Sequence, residues 1–433
     1  MIPLYLLNLA AVVLLTLWPL WFSRIQLGLR WANPFLIAAI MSLPFEAMKL
    51  IGGPLFLVEN GLFDAGYQFA ILMTNVQLFC QWLGATLFLE VFRSLRLTQR
   101  WRSHGVQLDT HAMPIAAFAC LLLSLVAWIL LASAEFGVSA WLANPREGYQ
   151  LHRTGAGHWF AFCITFLAAS MLFSFFSRPT ALAVLVKTPL YVGLAYFTGS
   201  KGVMLYLFTT AMVFLAFLDW KPLPKFLGIG VPLIFSLLVY NLFLARGDVL
   251  TLQSVFEYFD YYKNAAMYYG DYLRGQTSYF WGEIAWTSYA SYIPRALWPD
   301  KPVIYGVLLV NEIYYPGQAE LTNTPAFGGA VEYFADFGIP AVVLSGLFSS
   351  IAILTALAGH VLFKNQNASA KRPTLPFVAA FTLQFMPAFG MFFPGVLYGL
   401  LLATLLAAFS IYRYRRNAKD TQRQTHVRAT TPI

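Results

Sequence analysis

Three short stretches hold the residues best suited to chemistry. The first, SYIPRALWPDKPVIYG at 291–306, sets Arg295 and Lys301 among Pro294, Pro299 and Pro302. Proline fixes φ and removes an amide donor, so this segment is stiff and non-helical and holds both cations in fixed directions. The second, TPAFGGAVEYFADFGIP at 324–340, carries Glu332 just after two glycines. The third, FTGSKGVML, places Lys201 in a Gly-Ser-Lys turn. Arg246 in FLARGD and Arg274 add further cations. Arginine grips phosphate oxygens bidentately and lysine acts as a point charge. Positive charge is needed where a departing diphosphate gains negative charge. A carboxylate within reach of a hydroxyl can take its proton. Glu332 is the first candidate for that role, with Asp300 and Glu283 as rivals. His152 and Arg153, in a separate polar segment, are further candidates for contact with sugar or phosphate.

Each of these residues has a plainer alternative. Arg295 pairs with Asp300 or anchors at lipid headgroups, and Lys301 snorkels to an interface. Lys201 is a lone charge at a hairpin tip. Arg246 follows an apolar run directly, where an arginine often only anchors. Arg274 stands three residues after Asp271 on a helical stretch, the spacing of a local ion pair. Asp336 caps or pairs structurally. His152 and Arg153 are solvated loop residues.

Several familiar sites are missing. The sequence has no GxxxxGK[ST] loop for a nucleotide, no HExxH, no D-x-D and no GxSxG. The six histidines are scattered, and no metal or other cofactor is implied. Cys80, Cys120 and Cys163 all fall in apolar runs, which suits buried free thiols rather than disulfides.

The elements that must position these residues are apolar helices. Of 433 residues, 59% are hydrophobic and 11% are charged, far below the quarter or so usual in soluble domains. Mean hydropathy is +0.63, and runs long enough to cross a bilayer recur along the chain. The expected fold is an all-α polytopic transmembrane protein forming one membrane domain, 1–433. Eleven spans are expected, at 2–23, 32–58, 66–92, 111–134, 157–177, 180–198, 202–219, 226–245, 338–363, 374–393 and 395–412. The first lacks a basic stretch before it and a small-residue cleavage site after it, so it is expected to be retained.

The net charge of +9 is mostly an orientation signal. Segments 24–30, 93–104, 178–187, 221–225, 364–372 and 413–433 hold 19 of the 28 Lys and Arg and fall on one side of the eleven-span layout. Lys and Arg collect on the cytoplasmic side, so the N-terminus is expected outside and the basic tail 413–433 inside, beside anionic lipid. Nucleic-acid binding is not the expectation. The large outside loop, 246–337, holds 10 of the 19 acids. Its FEYFDYYKNAAMYYGDYL and YFWGEIAWTSYASYI stretches are expected to form amphipathic helices lying on or dipping into the membrane interface.

PRALWPDKP resembles the P-R-x-x-W-x-x-K-P signature of the bacterial O-antigen polymerases, the Wzy-type enzymes that join oligosaccharide repeat units. GGAVEYFADFG resembles the G-x-x-x-E-x-x-x-x-F-G segment that follows it in that family, and TGSKG resembles the family's G-S-[RK] turn. The sharp part of the resemblance covers about 198–340. It implies a GT-C-like glycosyltransferase acting at the periplasmic face of the inner membrane. The implied donor and acceptor are undecaprenyl-diphosphate-linked oligosaccharides, and membrane lipid surrounds the site. A partner protein that controls chain length is implied by the family alone. Carried over by position, Arg295 and Lys301 hold the diphosphate with Arg246, Lys201 and Arg274 around them, and Glu332 activates the acceptor hydroxyl. Lys201 stands where many relatives have arginine. An O-antigen ligase, with the same donor and another acceptor, is the alternative; a lipid-linked glycan flippase is a more distant one.

Overall fold

In a computed structural model the described residues are 2–25, 65–94, 113–135, 137–151, 157–218, 220–244, 261–290, 297–319 and 325–350, with a few single positions between them. Among them every regular element is a helix, in accord with the expected class. The helices are α1 (Ile2–Ile25), α2 (Ala65–Ser94), α3 (Met113–Glu135), α4 (Val138–Ala143), α5 (Pro145–Leu151), α6 (Gly157–Ser177), α7 (Ala181–Tyr196), α8 (Lys201–Phe217), α9 (Leu223–Leu244), α10 (Tyr261–Leu273), α11 (Glu283–Ala290), α12 (Leu308–Tyr314), α13 (Val331–Phe337) and α14 (Ile339–Ser350). Four of these, α1, α2, α3 and α6, are long and apolar enough to cross a membrane. Their leucines and phenylalanines stay exposed in quantity, Leu14 at 67% and Ile115 at 67%, which only an apolar solvent would tolerate. The expected spans 32–58, 374–393 and 395–412 and the tail 413–433 lie wholly or mostly outside the described residues.

Two hydrophobic cores organise the bundle. The first joins α3, α6, α7, α8 and the start of α9 around Phe175, Phe176 and Phe214. Within it α3 and α6 run antiparallel, because Ser170 donates to the Ala117 carbonyl (2.7 Å) and Ser124 to the Cys163 carbonyl (2.9 Å). Lys187, counted among the basic loops on sequence, instead lies inside α7 and donates to the Ser174 carbonyl at 2.7 Å. All three cysteines are free; Cys80 and Cys163 are buried and Cys120 is half-buried.

The second core joins α1 and α2 to α10, α11, α12, α13 and the start of α14. Here α10 packs against the first turns of α2. Tyr262 at its start donates to Thr74 of α2 at 2.9 Å, while the backbone of Ala266 and Gly270 presses on Gly66. Eight residues of one helix are thus matched by eight of the other in the opposite direction, so α10 stands lengthwise against α2. Glycine at 66 and 270 and alanine at 70 and 266 let the two backbones approach, as small residues do between membrane helices. Helix α14 runs parallel to α2 on the same register of contacts: Gln77 donates to Ser345 at 3.0 Å, and Ser350 abuts Gly84.

Candidate functional site

The Pro-framed segment and the Glu332 segment, expected from sequence to share one side of the membrane, are joined into one unit. Asp336 of α13 is the joint. It is buried, and its carboxylate accepts three backbone amides at the head of α11: Gly282 (2.8 Å), Ile284 (3.1 Å) and Ala285 (2.8 Å). A carboxylate suits this position because the first amides of a helix have no partner within it. Two backbone bonds continue the seam, Phe280 to the Ala335 carbonyl (2.8 Å) and Trp281 to the Asp336 carbonyl (3.0 Å). Asp336 therefore takes the capping role named as its alternative.

From α11 the seam passes to the Pro-framed loop. Thr287 accepts the Gly306 amide at 2.8 Å, and Gly306, at φ +61, lies against Ser288 with no room for a Cβ. Lys301 closes a turn through its amide to the Trp298 carbonyl, and its Nζ donates to the Ile293 carbonyl at 3.1 Å. The ammonium thus folds back to residue 293 of the same segment. Arg295 itself lies outside the described residues, as do Arg246, His152 and Arg153. Asp300 and Glu283 are exposed.

Glu332 sits in the first turn of α13. Burial raises its carboxyl from 4.5 to about 7, an effect only partly offset by a hydrogen bond with Tyr333. The fold therefore holds Glu332 near the point where it can either take or give a proton at neutral pH. The turn before it is left-handed twice over, at Gly329 (φ +65) and Ala330 (φ +58).

Arg274 forms the ion pair its spacing suggested, 2.6 Å from Asp271, and its Nε donates to Gln276 at 3.0 Å. Its side chain is 58% exposed. Asp271 also accepts the Tyr314 hydroxyl at 2.8 Å, which ties α12 to α10. Lys201 begins α8, capped by Ser200, in the other core. The Gly199 turn before it packs on Pro145 and Tyr149 of α5, and both Trp128 and Trp141 donate to the Phe197 carbonyl at 2.8 Å. Among the described residues no group of three or more His, Cys, Asp or Glu side chains is arranged to hold a metal ion.

Sequence alone did not show that the aromatic runs of the loop build a wall beside the Glu332 helix. Phe334 is fully buried and makes edge contacts with Phe69, Tyr269 and Tyr272, with centroids 5.6, 5.0 and 4.8 Å away. Tyr279 lies 5.9 Å from it and bonds Tyr272 at 2.8 Å. The signal was present as a dense run of tyrosines between 258 and 279, but interface anchoring explains such a run equally well.

No family model matches the chain, and no solved structure matches it. Two curated proteins do, the O-antigen polymerase of Salmonella typhimurium (strain LT2) and the O-antigen polymerase of Salmonella typhi. Each is 25% identical over 313 residues, which is 70% of this chain and 72% of the relative. The chain is thus similar to two O-antigen polymerases, the family that its Pro-Arg…Lys-Pro and Gly…Glu motifs resemble.

Proposed function

We propose that this protein polymerises undecaprenyl-diphosphate-linked oligosaccharide repeat units into O-antigen or a related surface polysaccharide, as a GT-C-like glycosyltransferase of the bacterial inner membrane working at the periplasmic face. The observation that carries this is the similarity to two O-antigen polymerases over 70% of the chain. The tethering of the Lys301 loop to the Glu332 helix through Asp336 and α11 supports it, since it holds a cationic segment and a proton acceptor in one rigid unit.

In this reading the acceptor hydroxyl gives its proton to the Glu332 carboxylate. Its oxygen bonds to the anomeric carbon of the donor, and the bond from that carbon to the diphosphate oxygen breaks. Arg295 and Lys301 stabilise the departing diphosphate, with Arg246, Lys201 and Arg274 as further cations of the pocket. Asp300, Glu283, His152 and Arg153 contribute secondary contacts to sugar or phosphate. The layout is eleven spans with the N-terminus periplasmic and the tail cytoplasmic. The parallel run of α2 and α14 agrees with it, because both are assigned the same direction of crossing.

Deleting the gene tests the reading. Surface glycan should collapse from a long-chain ladder to single repeat units, and an unchanged ladder would sink the proposal. In reconstituted membranes, two identical lipid-linked repeats should yield a lipid-linked dimer; transfer only to another acceptor would make the protein a ligase.

A further inference from the structure

Three bonds converge on the turn that presents Glu332, and all three come from α10. The Gly328 amide donates to the Tyr261 carbonyl at 3.1 Å. The Asn264 side-chain amide donates to the Ala326 carbonyl at 2.7 Å. The Tyr269 hydroxyl makes a short hydrogen bond to the Gly329 carbonyl. Gly329 also rests against Ala70 of α2, where an added Cβ would meet both the Ala70 methyl and its carbonyl. The turn so held ends in Ala330 at φ +58, a conformation disfavoured for any residue with a Cβ, which persists only where the surroundings over-determine it. Two residues later comes Glu332.

We propose that Asn264 and Tyr269 are positioning residues for glycosyl transfer: together they clamp the 326–330 turn and so fix where Glu332 stands relative to the Lys301 loop. The inference rests on the role given to Glu332 above. Its geometric basis is separate, because it needs only the bonds from α10 to the turn. Asn264 is itself aligned by accepting the Tyr315 hydroxyl at 2.7 Å, so α12 braces the clamp from the other side. Tyr269 is fully buried and its ring packs on Phe69 and Phe334, which holds it beside the turn. The base of the clamp is α2, through the close packing of Gly66 on Ala266 and Gly270.

The test uses the full chain in nanodiscs, with lipid-linked repeat units extracted from the deletion strain as probe. Tyr269→Phe removes only the hydroxyl, and Asn264→Asp removes the donor to Ala326 while keeping the acceptor for Tyr315. Tyr268→Phe is the control, since that neighbouring side chain is equally buried and its hydroxyl bonds nothing in the 326–330 turn. The expected result is a fall in kcat of about tenfold or more for Tyr269→Phe and for Asn264→Asp, with KM changed by less than about twofold. Tyr268→Phe should keep the parent turnover. If both clamp variants turn over normally while Glu332→Gln is inactive, the clamp is refuted and the role of Glu332 stands. If all three tyrosine and asparagine variants lose activity alike, the effect is general packing and the clamp is refuted. Full activity in Glu332→Gln would refute the parent reading and the clamp with it.

Discussion

Replacing Glu332 by glutamine should make the protein more stable and inactive at once, and the size of the first effect should depend on pH. The folded state lifts the Glu332 carboxyl from 4.5 to about 7, so it favours the neutral form. Below about 4.5 the side chain is neutral both folded and unfolded and costs nothing. Between about 4.5 and about 7 the unfolded chain releases the proton while the fold retains it, so stability falls as pH rises through that window. Above 7 the full penalty is present. Moving from 4.5 to about 7, at about 1.4 kcal/mol for each step of one in pH, bounds the penalty at roughly 3 kcal/mol. Glutamine keeps the shape without the charge. Its thermal midpoint should therefore equal the parent's near pH 4.5 and exceed it at pH 8 by on the order of a few °C, read by intrinsic fluorescence in the same detergent. Glycan transfer should be lost at both pH values, and in the parent it should rise as pH passes about 7. A midpoint difference that is the same at pH 4.5 and pH 8 would refute the buried-carboxyl argument.

Other perturbations separate structure from chemistry. Asp336→Ala strands three amides at the head of α11 and should destabilise the protein by about 3 kcal/mol, seen as a lower melting midpoint and faster proteolysis of the loop. Gly66→Ala drives a Cβ into the Ala266 carbonyl and Gly270 backbone, so the yield of folded protein should fall sharply while Gly193→Ala, in open space, expresses normally. Arg274→Ala breaks a largely exposed ion pair and should cost no more than about 1 kcal/mol of stability; a loss of transfer without a loss of stability would assign that arginine to the diphosphate. Arg295→Ala should abolish chain extension while the protein still inserts, as measured by glycan ladders and membrane fractionation.

The membrane helices were legible because one strong signal defines each of them. The expected 157–177 run matches α6 residue for residue, and 66–92 lies within α2 to within two residues at each end. An apolar stretch of that length has few other fates. The relation between the Pro-framed loop and the Glu332 helix was not legible, because it is made by Asp336 reaching amides more than 50 residues away, and no local pattern encodes the partner of a cap. The partner of α10 was not legible for a related reason. Its period shows which face is apolar, but not that Gly66, about 200 residues earlier, leaves room for the backbone of Ala266 and Gly270. The short α4 and α5 gave no periodic signal at all, being six and seven residues long.

The Asp336 cap stands three residues before α14 begins, and α14 lies along α2. The Lys301 loop is thus geared to α14 and, through it, to α2, one of the four helices long and apolar enough to cross a membrane. Bilayers of shorter acyl chains make long apolar helices lean further from the normal. A lean of α2 would carry α10, α13 and α14 with it and shift the Glu332 turn relative to the Lys201 turn of the other core. Acyl-chain length is then expected to act on this protein as a tuning screw, altering turnover without any change of sequence.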